Sequence, residues 1–310
     1  MTRLAAIDIG TNTVRMIVSE RASRRDRTLS RMRFITGLGR ALRGTGRIGD
    51  DEFRASVEAL RKFRAEMDRQ GVETYRACGT ACLREAENRD AFLAAATDAG
   101  IDVEVIGTVE EGRLSWEGIR RGVEGRAGDI AMDIGGGSTE FTAGPGEDDS
   151  VSVPVGVVTM SSLLPLSDPP RSWERAATEY FAGRRVGDGT RVFGKRRFRR
   201  LVGTAGTFTT LAALDRRMTR YEPDRINGAT LSEAAVLRFS GRLWTMTDSE
   251  RLGLPGMEKG RERFILPGIA LALAAIARFG VHGVTVSDAG LLEGILAGIR
   301  ATWRTMGGRG

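Results

Sequence analysis

At 310 residues, with 41% apolar and 28% charged side chains, the chain has room for two cored domains and is too polar for a membrane-embedded protein. Lys and Arg number 47 against 40 Asp and Glu, a formal charge of +7. That excess points to a polyanionic partner (phosphate polymer, nucleotide, nucleic acid or acidic membrane face) unless it only reflects an Arg-rich surface.

The chain opens with three expected strands, at residues 4–9, 14–20 and 29–36, and reaches the polar Asp8 too early for a signal peptide. A basic run at 21–27 reads as a solvated hairpin between the second and third strands. Phe53, Val57, Leu60, Phe63 and Met67 recur at helical spacing, which predicts a helix over 51–69 ending at Gly71. A strand (72–78), a helix (83–99), a strand (101–106) and a helix (109–121) follow. The second half restarts with strands at 130–134, 140–143 and 151–155, the last two joined by a turn at 144–146. Helices are expected at 173–182, 208–216, 232–245, 267–279 and 291–305, with strands at 200–202 and 284–287. The most apolar stretch, 265–277, is about 13 residues long and too short to span a bilayer. The halves divide near 122–128, giving domains 1–125 and 126–310; one large α/β domain with an accidental motif echo is the alternative.

Ala6-Ile7-Asp8-Ile9-Gly10-Thr11-Asn12-Thr13 and Ala131-Met132-Asp133-Ile134-Gly135-Gly136-Gly137-Ser138-Thr139-Glu140 share one pattern. Each runs apolar strand, Asp, Gly, hydroxyl-rich turn, second strand. An apolar strand ends in Asp only when that carboxylate has a task or a partner. The glycines let bare amides approach an anion. A third such loop, Gly203-Thr204-Ala205-Gly206-Thr207, follows a strand and opens a helix, where amides suit phosphate. Asp8 and Asp133 sit at equivalent points, where Mg2+ or Mn2+ held by one or two carboxylates and several waters would fit; the alternative for both is a strand-end cap. Cys78-Gly79-Thr80-Ala81-Cys82-Leu83-Arg84 has the Cys-x5-Arg spacing of thiolate phosphatases, but Ala77 and Glu85 stand where those enzymes carry His and a hydroxyl residue. A buried, inert Cys78 is the expectation. Two cysteines form no disulfide framework and suit a reducing cytoplasm. His282, the single histidine, is expected at the surface or in a structural role. The second basic run, 195–200, contains only Phe198 as an aromatic, so nucleic acid is disfavoured.

Three glycine-hydroxyl loops in this order resemble the actin and sugar-kinase superfamily. The flanking segments narrow the match: Asp8-Ile-Gly-Thr-Asn-Thr-Val-Arg15, Gly79-Thr-Ala-Cys-Leu-Arg84, Val109-Glu-Glu111-Gly-Arg113, Asp133-Ile-Gly-Gly-Gly-Ser-Thr-Glu140, Gly203-Thr-Ala-Gly-Thr207 and Ser287-Asp-Ala-Gly-Leu-Leu-Glu-Gly294. In this order they resemble the exopolyphosphatase/guanosine pentaphosphate phosphohydrolase (Ppx/GppA) family, over essentially the whole chain. The resemblance implies an α/β fold of two duplicated actin-like (ribonuclease H-like) lobes with a cleft between them, in the short form without a C-terminal helical region. The last helix would fold back on the first lobe.

The resemblance also implies roles. Glu111 matches the catalytic carboxylate and Glu140 the second acidic site residue, while Glu110 stays a solvated first-turn Glu. Arg84 matches a phosphate-contacting Arg. Arg15 matches another motif position, where a structural ion pair is equally open. Thr11, Asn12, Gly135, Gly136, Gly137, Ser138, Thr139, Gly203, Thr204, Gly206 and Thr207 would supply phosphate donors. The implied activity releases orthophosphate from inorganic polyphosphate, with guanosine pentaphosphate as the alternative substrate, in the cytoplasm, with no membrane partner and as the homodimer common in the family. A weakly active alarmone-binding regulator and a kinase of the superfamily are the rivals. Three positions depart from the family pattern: Leu292, Arg263 and Asn227.

Overall fold

The computed structural model describes residues 2–21, 27–144 and 149–305; most of the 21–27 run and of the 144–146 turn lies outside them. Two compact units emerge: Met1–Gly118 with Leu291–Gly310, and Ile119–Gly290. The division falls inside the helix Thr108–Gly122 rather than after it. Its last residue, Gly122, lies tight against Ser287, Ala289 and Asn227 of the second unit.

The first unit holds β1 (Arg3–Ile9), β2 (Thr13–Glu20), β3 (Arg27–Ile35), β4 (Thr74–Gly79) and β5 (Val103–Val105), in the order β3-β2-β1-β4-β5. The second holds β6 (Asp129–Ile134), β7 (Thr139–Thr142), β8 (Ser150–Val153), β9 (Arg200–Thr204), β10 (Thr230–Ser232) and β11 (Gly283–Val286). Its sheet runs β8-β7-β6-β9-β11, with β10 added at the edge. In both units the first three strands form an antiparallel meander, and the first strand pairs in parallel with a strand reached through helices. The same order with the same directions, twice, is the duplicated α/β architecture expected from the sequence.

Helices supply the cores. Asp50–Gln70 buries Val57, Leu60, Phe63 and Met67 along one stripe, carries three acids in its first turn, and stops at Gly71 in the left-handed conformation. The other face of the first sheet is covered by the last helix, Leu291–Thr305. Its Leu292, Ile295, Leu296 and Ile299 join Leu4, Ala6, Ile17, Ile106 and Leu114 in a separate buried cluster. In the second unit the helices Ser172–Gly189, Ala205–Asp215 and Ile265–Phe279 pack around Met132, Phe141 and Phe208. Among the described residues no helix is long and apolar enough to cross a membrane.

Two expectations need correction. The helix expected over 83–99 is two helices, Ala81–Glu85 and Arg89–Asp98. Ala86 is extended between them, and Asn88 leaves the helical path to trade hydrogen bonds with the backbone of Ile48 at 2.9 and 3.0 Å. The helix Val157–Leu163 was not expected at all. Its opening Val157-Val158 reads as a continuation of the preceding strand, because β-branched residues favour extended chain.

Substituting Gly294 by Ala would drive a methyl group into the carbonyl of Leu114, backbone against backbone. Gly294→Ala is expected to lower stability by about 1–3 kcal/mol, as overpacking does. Gly183, on the exposed side of its helix, has nothing within 4 Å of where a methyl would stand. Gly183→Ala should instead gain about 0.5–1 kcal/mol through helix propensity. Denaturant midpoints of the two variants, moving in opposite directions, check the packing.

Candidate active site

Both Asp loops are closed by the same hydrogen bond. The Gly10 amide donates to the Thr13 carbonyl, and the Gly135 amide to the Ser138 carbonyl, each at 3.0 Å. The turn sets the register of the following strand, so Asp8 lies directly opposite Arg15, and Asp133 directly opposite Glu140. Opposed residues of an antiparallel pair share one face. In the first unit this produces an ion pair: Arg15 donates to Asp8 Oδ2 through Nε at 2.9 Å and also through Nη2. In the second unit the equivalent pair is two carboxylates. Like charges placed opposite each other on a sheet are unfavourable unless a cation or a proton relieves them.

The Gly135-Gly136-Gly137 loop is tied down from behind by the unexpected helix. The amides of Val157 and Val158 donate to the carbonyls of Gly135 and Gly136 at 3.0 and 2.9 Å, and Thr159 Oγ1 donates to the Gly137 carbonyl at 3.0 Å. In a planar trans peptide the following N–H points opposite to the carbonyl. The amides of Gly136, Gly137 and Ser138 are therefore aimed away from the helix, as a nest for an anion. Gly156 makes the approach possible: a Cβ there would meet the Gly135 carbonyl oxygen at 2.5 Å. In the first unit the carbonyls of Thr11 and Asn12 are held by the amides of Gly39, Thr36 and Gly37 at 2.8–3.1 Å. Thr11, Asn12, Ser138 and Thr139 are buried, and Thr139 spends its hydroxyl on the Val155 carbonyl at 2.6 Å.

The third loop joins the second. Thr204 lies opposite Asp133 at the carboxyl ends of β9 and β6, and its hydroxyl donates to the Ala289 carbonyl at 3.0 Å. Gly203 packs so tightly on Phe208 that a Cβ would meet the ring at 2.5 Å. Ala205, which opens the helix, has φ of +65°, a left-handed conformation that costs a non-glycine residue about 1 kcal/mol. Gly206 lies beneath the guanidinium of Arg261, and Thr207 is buried against Gly268. Arg261 lies two residues before Arg263, one of the departures from the family pattern. Its placement over the loop needed the fold, because 54 positions separate it from Thr207.

In the first unit, Arg84 and Glu111 come from separate motifs and meet at 2.6 Å. Arg84 Nη1 also donates to the Ile106 carbonyl at 3.0 Å, just past the end of β5. Glu111 is buried in the first turn of its helix. Its neighbour Glu110 is half-exposed and pairs with Arg76 at 2.7 Å. Ion pairing, more than solvation alone, holds it on the outer side.

Among the described residues no three His, Cys, Asp or Glu side chains gather into a metal cluster. The donor set fits Mg2+ nonetheless, because that ion commonly takes one or two carboxylates and completes its shell with water and substrate oxygens. Asp133, partly exposed beside the nest, meets that requirement; Asp8 already gives Oδ2 to Arg15. Glu140 is buried and accepts a hydrogen bond from Ser152 at 2.8 Å. The thiolate alternative fails: burial pushes the Cys78 thiol up to about 12, away from ionisation. His282 is exposed, as expected.

The basic run at 195–200 is not beside these loops. It leads into the amino end of β9, whereas Thr204 stands at the carboxyl end, about 13 Å along the strand. Arg196 and Arg200 are engaged with Asp149 and Asp129.

The model of the Ppx/GppA phosphatase family matches residues 16–302. The chain belongs to that family. "Exopolyphosphatase 2" of Mycobacterium tuberculosis is 32% identical over 313 aligned residues, covering 95% of this chain and 98% of the relative. A crystal structure of the Aquifex aeolicus family member superposes with a TM-score of 0.83 at 28% identity, covering 97% of this chain and 98% of that one. An exopolyphosphatase from Cytophaga hutchinsonii gives 0.87 at 26% identity, with the same coverages.

With thiol ionisation near 12 for both Cys78 and Cys82, iodoacetamide at pH 8 should leave the folded protein unmodified by intact-mass measurement. Denatured protein should take up two adducts. Rapid alkylation of the native protein with loss of hydrolysis would restore the thiolate.

Proposed function

We propose that this phosphoanhydride hydrolase is a Mg2+-dependent exopolyphosphatase, removing terminal orthophosphate from inorganic polyphosphate in the cytoplasm. The observation that carries the reading is that Asp133 and Glu140 stand opposite each other beside the amide nest, at the position where the other unit has Asp8 and Arg15. Two opposed carboxylates next to an anion cradle suit a site where a cation and phosphate bind together. The name of the Mycobacterium tuberculosis relative supports polyphosphate as the substrate.

In this reading the amides of Gly136, Gly137 and Ser138, with the 203–207 loop and Arg261, hold phosphate oxygens. Bound Mg2+ would supply charge neutralisation at the phosphates, held by Asp133 with Glu140 close by. Glu111 orients a water molecule and accepts its proton as the water oxygen attacks the terminal phosphorus. The bridging P–O bond breaks, and the shortened chain leaves carrying the negative charge. Arg84 locks the Glu111 carboxylate through one nitrogen and keeps the rest of its planar fork for phosphate oxygens. Little covalent work is asked of the protein, since such transition states depend mainly on positioning and electrostatics. Release of phosphate without any acceptor distinguishes this activity from a kinase, and turnover distinguishes it from a binding regulator.

Glu111→Gln should lower kcat on polyphosphate by at least ~100-fold, the scale of a lost general base, while polyphosphate affinity stays nearly intact. A near-normal kcat would move the base elsewhere, with Glu140 the first to examine.

Activity should vanish in excess EDTA and return with Mg2+ or Mn2+. Asp133→Asn should raise the metal concentration needed or abolish turnover. Full activity in EDTA, or an unchanged metal requirement in the variant, would remove Asp133 from the metal site.

A further inference from the structure

Four cations gather at the end of the second sheet opposite the glycine loops. Arg126 lies in the segment that enters β6, and Lys195, Arg197 and Arg199 lie in the segment that enters β9. The two segments are joined: the Arg199 amide donates to the Gly128 carbonyl at 2.8 Å, and the Arg199 stem lies against Gly128. All four side chains are exposed. Asp129 is committed to Arg200 at 2.8 Å and Asp149 to Arg196 at 2.7 Å, and Glu124, exposed two residues before Arg126, is one acid set against four cations. Among the described residues no carboxylate is paired with any of the four. Crowding like charges on adjoining loops costs stability, and a polyanion relieves it.

The surface also lacks what nucleic acid requires for tight single-strand binding. Phe193 and Phe198 are buried edge to face, and Arg196 covers both rings at 5.9 and 5.6 Å. Among the described residues no aromatic face is left there for a base to stack on. A phosphate chain without bases needs only the cations.

We propose that this pole is a second binding site for inorganic polyphosphate, an anchor for the part of a long chain remote from the hydrolysed end. The proposal rests on the exopolyphosphatase reading for its ligand. The strand alone puts about 13 Å between Arg200 and Thr204, so a chain of three phosphates engages only one site at a time. Long chains gain from both sites by raised effective concentration.

The test combines Arg126, Lys195, Arg197 and Arg199→Gln in one variant and compares long-chain polyphosphate with tripolyphosphate. KM for the long chain should rise roughly tenfold, with kcat and the tripolyphosphate KM unchanged. Binding of long-chain polyphosphate to protein carrying Glu111→Gln should become less salt-dependent. Its slope of log-affinity against log-salt should shrink by about 2–3, at about 0.7 for each phosphate no longer neutralised. Equal loss for both substrates, or no change for the long chain, overturns the anchor. A larger loss for a 20-nucleotide single-stranded DNA than for polyphosphate would instead make the pole a nucleic-acid surface. If the wild-type protein releases no phosphate but the variant still loses long-chain affinity, the anchor stands and the catalytic reading falls.

Discussion

One backbone hydrogen bond, made twice, governs the site. An amide two residues past each Asp closes a turn on the carbonyl three residues further on. That closure decides which side chain meets the Asp across the sheet. Slipping either strand by one residue would send the partner to the opposite face and leave a buried carboxylate without its neighbour. From the same turn the two units place different residues across from the Asp: Arg15, which pairs with Asp8, in one, and Glu140 in the other. The shared turn supplies the geometry, and the residue type opposite the Asp is where the units differ.

The glycines follow from the same economy of space. A nest of amides works only when the carbonyls on the same peptides are satisfied elsewhere, and here they are taken by the start of the helix Val157–Leu163. That contact demands glycine at Gly156, where a Cβ would meet the carbonyl oxygens of Gly135 and Gly136. The third loop obeys a related constraint, with Gly203 against Phe208 and the left-handed Ala205 at the helix start. Strain of this kind persists because the packing around it leaves no other conformation.

Much of this could be read from residue order alone. Strands flanked by glycine and helices with four or five apolar residues on one stripe stood clear, as did the three loops. The pairing of Arg84 with Glu111 joined two motifs whose spacing along the chain carried no hint of contact. Short elements were harder. Val157-Val158 has strand-like chemistry and becomes helical because its amides find the loop carbonyls. Asn88 breaks a helix-rich segment through a bond to Ile48, which lies 40 positions away. Arg261 and the Thr36–Gly39 backbone reached the loops through tertiary structure, and no local pattern announces that. The basic run at 195–200 was visible, but its end of the strand was not, and that placement changes what it can bind.

The last helix carries a consequence for how the protein is made. Ile119–Gly290 is one continuous stretch and can fold as it leaves the ribosome. The first unit, although synthesised earlier, lacks one covering of its sheet until Leu291–Thr305 arrives. Until then Leu4, Ala6, Ile17 and Leu114 face water. A chain ending before residue 291 would therefore leave that face of the first sheet without its apolar cover.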